Sequence, residues 1–198
     1  MPDGLSSLTK LKNLNLGGTR ITSLPSDITT LSELVVLNIG RCSKLTSLPE
    51  NIGDLSQLEQ LDMNNSGVEI LPEGFGRLTG LKSLNISYCG ALKTLSQDFG
   101  NLRNMTSFNM VSCAALESLP ESFGDLIQLT TLSLSRCESL VSLPESIGKL
   151  TGLTSLDLSN CKSLQTLPSS ISKLSNIKEL SMSSCASLSS LPETVADM

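Results

Sequence analysis

The chain has 198 residues, a formal net charge of -5, and neither histidine nor tryptophan. Because its lysines and arginines form no basic run, phosphate backbones and anionic membranes are poor partners for it. Its longest uninterrupted aliphatic run extends only from Leu34 to Leu37, so no segment is long enough to cross a bilayer. The commonest general base is missing and no phosphate-binding loop occurs. We therefore expect no catalysis, no cofactor, no nucleic-acid binding and no membrane insertion.

Prolines and cysteines each recur at intervals close to 24 residues or a multiple of it. The prolines are Pro2, Pro25, Pro49, Pro72, Pro120, Pro144, Pro168 and Pro192, and the cysteines are Cys42, Cys89, Cys113, Cys137, Cys161 and Cys185. A nearly constant period of this length indicates a stack of similar coils. A part-repeat over residues 1–10 precedes eight repeats that begin at Leu11, Leu34, Leu58, Leu81, Met105, Leu129, Leu153 and Ile177.

Each repeat predicts the same elements in the same order. In the repeat from Leu129, the pair Leu132 and Leu134 has the period of two that is typical of a short strand with one buried face. Eight such strands would stack in parallel at about 4.8 Å per coil. Pro144 ends this side of the coil because it lacks an N–H group. The residues that follow it suffice for one or two α-helical or 3-10 turns, and an acidic residue directly after the proline favours a helix N-terminus.

The repeated leucine spacing resembles the leucine-rich repeat family over the whole chain. The resemblance implies one α/β domain over residues 1–198, a curved solenoid with a parallel sheet on its concave face and short helical or 3-10 turns on its convex side. Apolar residues that would be exposed at the two ends are Leu5, Leu8, Leu14 and Leu16, and Ile177, Leu180, Leu191 and Val195. We expect a segment of a longer protein, and the alternative is a short protein whose ends self-associate.

The cysteines occupy equivalent places on successive coils, so their side chains should point the same way and form no disulfides. In the family this position is commonly asparagine or cysteine, whose side chain meets backbone groups in the loop after the strand. A soft-metal site or reactive thiol chemistry are the alternatives, although no C-x-x-C pair or histidine is present to complete a zinc site. Free buried thiols suit a reducing compartment, so we expect a cytosolic or nuclear protein.

One glycine-rich segment, residues 74–80, looks like a dinucleotide-binding fingerprint with one residue too many. Its glycines match Gly53, Gly124 and Gly148 in other repeats, which indicates a structural role.

A binding surface remains as the source of function. The candidate partner-binding residues on the concave face are Asn38, Arg41, Gln60, Asp62, Asn64, Asn85, Tyr88, Asn109, Arg136, Asp157 and Asn160. Most small polar residues of this face would only solvate the sheet. Arg41, Tyr88 and Arg136 are different, because tyrosine and arginine are enriched at binding hot spots. With so few large anchors, we expect weak binding by this segment alone.

Two repeats carry Thr19 and Ser66 in place of the cysteine. This mixture of repeats resembles the repeat region of plant intracellular nucleotide-binding disease-resistance receptors, especially those with a Toll/interleukin-1-receptor domain. The resemblance implies a module that senses ligands and helps to keep the receptor inactive. Its partner would be a pathogen effector, a host protein or another domain of the same receptor. The alternative is a structural scaffold or regulatory subunit for a signalling enzyme such as a small GTPase or kinase.

Overall fold

A computed structural model describes residues 7–193. Its central element is one sheet of eight parallel strands in chain order, which confirms the predicted solenoid. The strands are β1 Asn13–Asn15, β2 Val36–Asn38, β3 Gln60–Asp62, β4 Ser83–Asn85, β5 Ser107–Asn109, β6 Thr131–Ser133, β7 Ser155–Asp157 and β8 Glu179–Ser181. Each strand is centred on the first residue of its apolar pair, and the second apolar residue follows the strand.

The strand register repeats without a shift from coil to coil. Leu14 pairs with Leu37, and Leu37 pairs in turn with Leu61. A one-residue slip would turn every buried side chain to the other face of the sheet, so the leucine column fixes the register. Side chains in equivalent positions of the repeats therefore lie above one another.

The return side of each coil contains 3-10 turns. Within the described residues these are η1 Ser26–Thr30, η2 Ile52–Asp54, η3 Phe75–Arg77, η4 Phe99–Asn101, η5 Glu121–Asp125, η6 Glu145–Lys149 and η7 Ser169–Lys173. The sequence was compatible with either α-helical or 3-10 turns in this segment. The tighter form fits three to five residues, since an α-helix needs more residues to close its hydrogen bonds.

The acidic residues after the prolines have a wider role than the sequence suggested. Glu145 lies in the first turn of η6, as expected, but its carboxylate accepts hydrogen bonds from the N–H groups of Ser169 and Ser170 at 3.2 Å each. These N–H groups belong to η7 of the next coil. The pKa of Glu145 is lowered mainly by its interaction with the Ser170 side chain, and the two N–H groups lower it further. This side chain therefore links neighbouring coils.

The core is one continuous column of apolar side chains. Phe75, Phe99 and Phe123 are fully buried, and adjacent rings are stacked with centroids 6.1 Å apart. This spacing on the 3-10 side exceeds the roughly 4.8 Å between neighbouring strands. A stack whose coils are spaced more widely on the 3-10 side than on the sheet side must curve, so the sheet lies on the concave side.

The apolar residues at both ends of the stack are only partly covered. Leu8 and Leu191 are each 48% exposed. Leu14, Leu16, Ile177 and Leu180 are partly buried against the core. The predicted Leu5 and Val195 lie outside the described residues. Over residues 7–193, no helix has the length and apolar character needed to cross a membrane.

Candidate functional site

The concave side of the sheet presents two rows of side chains, which we name by their backbone position. The strand-end row comprises Asn15, Asn38, Asp62, Asn85, Asn109, Ser133, Asp157 and Ser181, the last residue of each strand. The left-handed row lies three residues farther along each repeat and comprises Gly18, Arg41, Asn65, Tyr88, Ser112, Arg136, Asn160 and Ser184. Together with the exposed residues that begin the strands, such as Gln60, these rows form the strand face.

Asparagine and aspartate in the strand-end row shape the turns that follow the strands. The Oδ1 atom of Asn38 accepts a hydrogen bond from the Gly40 N–H at 2.9 Å. Equivalent bonds run to Asp62 from Asn64, to Asn85 from Ser87, to Asn109 from Val111, and to Asp157 from Ser159. This is the side-chain-to-backbone turn that these residue types favour. The five predicted site residues in this row thus have a structural role that the sequence analysis missed.

Every residue of the left-handed row has a positive φ, between 51° and 72°. The ladder of backbone hydrogen bonds explains this conformation. The Arg41 N–H donates to the Asn64 carbonyl at 2.6 Å, and the Tyr88 N–H donates to the Val111 carbonyl at 2.7 Å in the next coil. The left-handed region costs a residue with a Cβ roughly 1–2 kcal/mol, and glycine or asparagine tolerates it best. Arginine and tyrosine therefore occupy this row against the local backbone preference.

Arg41, Tyr88 and Arg136 follow one another at every second coil. At the usual strand spacing, neighbouring members lie about 10 Å apart, with the aromatic residue between the two cations. Tyr88 is 56% exposed, and both arginines are exposed. Neither guanidinium has an ion-pair partner within residues 7–193, whereas five other cations of this region pair with a carboxylate of a neighbouring coil. The two strand-face arginines are free to bind an external group.

Two shallow hollows adjoin this line on the strand face. One has a volume of about 360 Å³, and its predicted site residues are Asn38, Arg41, Asp62 and Asn64. The other, of about 330 Å³, adds the predicted residues Gln60 and Asn85 and shares Asn38 and Asp62 with the first. The structure thus brings six of the predicted residues together.

Gly40 keeps the first hollow open. A Cβ atom at this position would lie 2.7 Å from the amide nitrogen of Asn64. That nitrogen is in turn held by Asp62, to which it donates a hydrogen bond at 2.7 Å. The five remaining predicted residues lie farther along the two rows, beyond these hollows; they are Tyr88, Asn109, Arg136, Asp157 and Asn160.

The cysteine column lies behind the left-handed row, inside the solenoid. All six cysteines fall within the described residues and carry free thiols, as predicted. Each thiol donates a hydrogen bond to a backbone carbonyl of the preceding coil. For example, Cys113 donates to Ile86 at 3.1 Å, and Cys161 donates to Leu134 at 3.2 Å. The hydroxyl of Ser66 takes the equivalent place and lies 3.3 Å from the sulfur of Cys89.

The environment of four of these cysteines opposes thiolate formation. Burial raises the pKa of Cys161 to about 12, and burial also raises the pKa values of Cys89 and Cys185. The hydrogen bond between Cys113 and Cys137, together with burial, raises the pKa of Cys113. Since the thiolate is the reactive form, these cysteines act as small buried side chains that join adjacent coils.

A second surface feature escaped the sequence analysis. Position 96 carries serine where the other repeats carry the column proline, and a groove of about 820 Å³ opens beside it. Ile70, at the edge of this groove, is 67% exposed. The missing proline was the available signal in the sequence.

Comparisons with known proteins agree with the fold. A family profile described as a leucine-rich repeat region matches residues 2–123. A second profile, for a single leucine-rich repeat, matches residues 128–150 and 152–174. No curated protein sequence matches the chain.

Solved structures of leucine-rich repeat proteins superpose on nearly the whole chain. A leucine-rich repeat protein of Leptospira interrogans is 28% identical with a TM-score of 0.76, and the match covers 93% of this chain and 52% of that one. The leucine-rich repeat domain of the type III effector XopL is 28% identical with a TM-score of 0.72, covering 91% of this chain and 72% of that domain.

A third superposition shows the shared fold only. Drosophila Toll in complex with Spatzle is 23% identical with a TM-score of 0.68, covering 97% of this chain and 31% of Toll. The chain spans about half the length of the Leptospira protein. The repeated strand, the cysteine column and the profile matches over more than half of the sequence establish that this chain belongs to the leucine-rich repeat family.

Proposed function

We propose that this chain is a non-enzymatic recognition module that binds a protein partner through its strand face. The observation that carries the proposal is the line of Arg41, Tyr88 and Arg136. These large side chains are exposed and occupy a backbone conformation that favours glycine or asparagine, and neither arginine has an ion-pair partner within residues 7–193. Side chains that persist at strained positions cluster at functional sites, and arginine and tyrosine are typical interface anchors.

The order of charged and aromatic side chains along this line indicates what a complementary partner surface would present. Two cations flank an aromatic ring at a total separation of about 20 Å along the sheet. The partner surface would present a carboxylate opposite each arginine and an apolar group opposite Tyr88. The hollow at Arg41 would receive small polar groups of the partner, because amides, glycines and one carboxylate line it together with Arg41.

Our proposal for the biological setting is the repeat region of a plant intracellular immune receptor. The mixture of cysteine-type repeats with the repeats of Thr19 and Ser66 supports it. Recognition of an effector, a host protein or another receptor domain would bias the receptor between inactive and active states. The unbridged thiol column supports a reducing compartment, the cytosol or nucleus. A nucleotide-binding phosphate loop upstream in the same reading frame is the expected finding, and a reading frame without one would favour the scaffold alternative.

A binding comparison tests the strand-face site. The variant R41E/Y88A/R136E should lose the partners that the wild-type chain captures from plant extract. The matched control R103E/K173E introduces the same change in net charge at exposed positions outside the strand face and should retain them. Circular dichroism must show that both variants remain folded. Capture of the same partners at the same level by all three proteins would refute a site on the strand face.

A further inference from the structure

A groove crosses the third, fourth and fifth repeats between the turns that follow the cysteine column and the 3-10 helices η3, η4 and η5. Its volume is about 820 Å³, within the range of about 300–1,000 Å³ that is typical of ligand sites. Leu71, Leu95 and Leu119 form its floor and are 3–6% exposed, while Ile70 at the edge is 67% exposed. This surface contains no residue of the strand face, so the inference goes beyond the proposed function.

The groove coincides with the one internal break in the proline column. Ser96 adds a backbone N–H and a hydroxyl where proline would supply only a ring. Within the described residues, the Ser96 hydroxyl oxygen is buried and has no hydrogen-bond partner. Buried polar atoms are normally satisfied, so this hydroxyl is an exception that proline at this position would not create.

Asp98, two residues farther along, adds a second unsatisfied atom. Its Oδ2 atom accepts a hydrogen bond from the Gly76 N–H at 3.0 Å. Over residues 7–193, no donor reaches its buried Oδ1 atom. One oxygen of this carboxylate thus holds the neighbouring coil, and the other has no donor among the described residues, as is also true of side-chain oxygens of Asp27, Ser146 and Ser170 in other coils.

The charge of the groove indicates which kind of ligand it would bind. Glu73, Asp98 and Glu121 line it, and none of the described residues that line it is a lysine or arginine. A carboxylate-rich rim above a leucine floor fits a side chain with a long apolar stem and a cationic head, since arginine and lysine bury their stems along apolar surface. Guanidinium groups also match carboxylates in hydrogen-bond geometry.

We propose that this groove binds an extended peptide segment of a partner protein in which arginine or lysine alternates with an aliphatic residue. Three coils span about 10–12 Å, the length of three to four extended residues. The aliphatic side chains lie on the leucine floor beside Ile70. The cationic side chains reach Glu73 and Glu121, which line the groove on either side of the fourth repeat.

Nuclear magnetic resonance of the uniformly labelled full chain tests the proposal. The probes are a capped tetrapeptide of alternating leucine and arginine and the same tetrapeptide with glutamine in place of arginine. The arginine peptide should shift the amide signals of Ile70, Ser96 and Asp98. The glutamine peptide should bind about tenfold more weakly, because it lacks the charge-assisted hydrogen bonds. Equal affinity of the two peptides, or shifts confined to other residues, would overturn the proposal.

Variants separate the groove from general electrostatic attraction. Glu73→Gln should weaken binding of the arginine peptide, whereas Glu50→Gln, the same change after another column proline and outside the groove, should not. Ser96→Pro restores the residue found in the other repeats and should also weaken binding, with Ile70 as the reporter. If the two glutamine variants weakened binding of the arginine peptide equally, the attraction would be a diffuse cation effect. The same would hold if spermidine shifted the groove signals as much as the peptide does, and either result would refute the peptide site. The strand-face variant R41E/Y88A/R136E should bind the peptide normally, so either proposal can fail without the other.

Discussion

Replacing Gly148 by alanine tests how closely the 3-10 helices approach one another. Gly148 lies in η6, and a Cβ atom there would stand 2.5 Å from the carbonyl oxygen and 2.7 Å from the Cβ of Ser170 in η7. Ordinary van der Waals contact begins at 3.4 Å, so the two coils would have to separate by about 0.9 Å. The obstacle is backbone, which no rotamer change can move.

The cost follows from the packing that this separation removes. A gap of about 0.5–1 Å forfeits a quarter to a half of the dispersion energy at the contact. Overpacking of a tight site costs roughly 1–3 kcal/mol, and a backbone obstacle places Gly148→Ala near about 3 kcal/mol. For a chain of this length, that corresponds to a fall in Tm of about 6–12 °C.

Gly90→Ala is the matched control. A Cβ atom at Gly90 meets nothing within 4 Å, and φ there is not positive. Alanine should stabilise this position by about 0.4–1 kcal/mol because it restricts the unfolded chain. Thermal and urea unfolding followed by circular dichroism measures both variants. A free energy of unfolding for Gly148→Ala within about 0.5 kcal/mol of the wild type would refute the close packing of η6 and η7.

Three further predictions concern the core, the thiols and the left-handed row. Phe99→Ala should cost about 3–5 kcal/mol in urea unfolding, and Phe99→Ile should cost far less because Ile147 fills the equivalent buried place; equal losses would contradict a shared column. The pKa of Cys161 is raised in the folded state to about 12, so its stabilising contribution is complete below the unfolded thiol pKa of about 8.5 and is lost as the pH rises through the folded value. In the wild type, this thiol makes the free energy of unfolding fall by up to about 1.4 kcal/mol per pH unit between these two pKa values. Cys161→Ser should remove that part of the decrease, and an unchanged slope of the free energy of unfolding against pH would refute this. Arg136→Asn should weaken partner capture while leaving the free energy of unfolding unchanged or higher by up to about 1 kcal/mol, so a clear loss of stability would show that the arginine has a structural role.

Periodicity made the fold accessible from sequence because the contacts of a solenoid join residues one repeat apart. Once Leu37 and Leu61 occupy the same column, their pairing, the strand order and the burial of both side chains follow. The orientation of the cysteines follows for the same reason. The form of the return segment did not follow, because the repeat pattern does not show that only three to five of its residues form the turn.

The binding face was only partly predictable. Column position showed that Asn38 and Asp62 face outward, but not that each gives a side-chain oxygen to the turn that follows its strand. The positive φ of Arg41, Tyr88 and Arg136 also depends on hydrogen bonds to the next coil, which no local pattern shows. These contacts distinguish the residues of the strand face that have a structural role from those whose side chains are free to bind a partner.

From the repeat alone it followed that like residues align in a parallel sheet with a leucine interior, because repeats of 23 or 24 residues leave one register that buries the leucine columns of the inner coils. Which polar atoms lack a hydrogen-bond partner after folding could be read only from the packed coils. Ser96 and Asp98 show why. Their alignment was readable from the period, but the groove beside them and their unsatisfied oxygens depend on distances among three neighbouring coils.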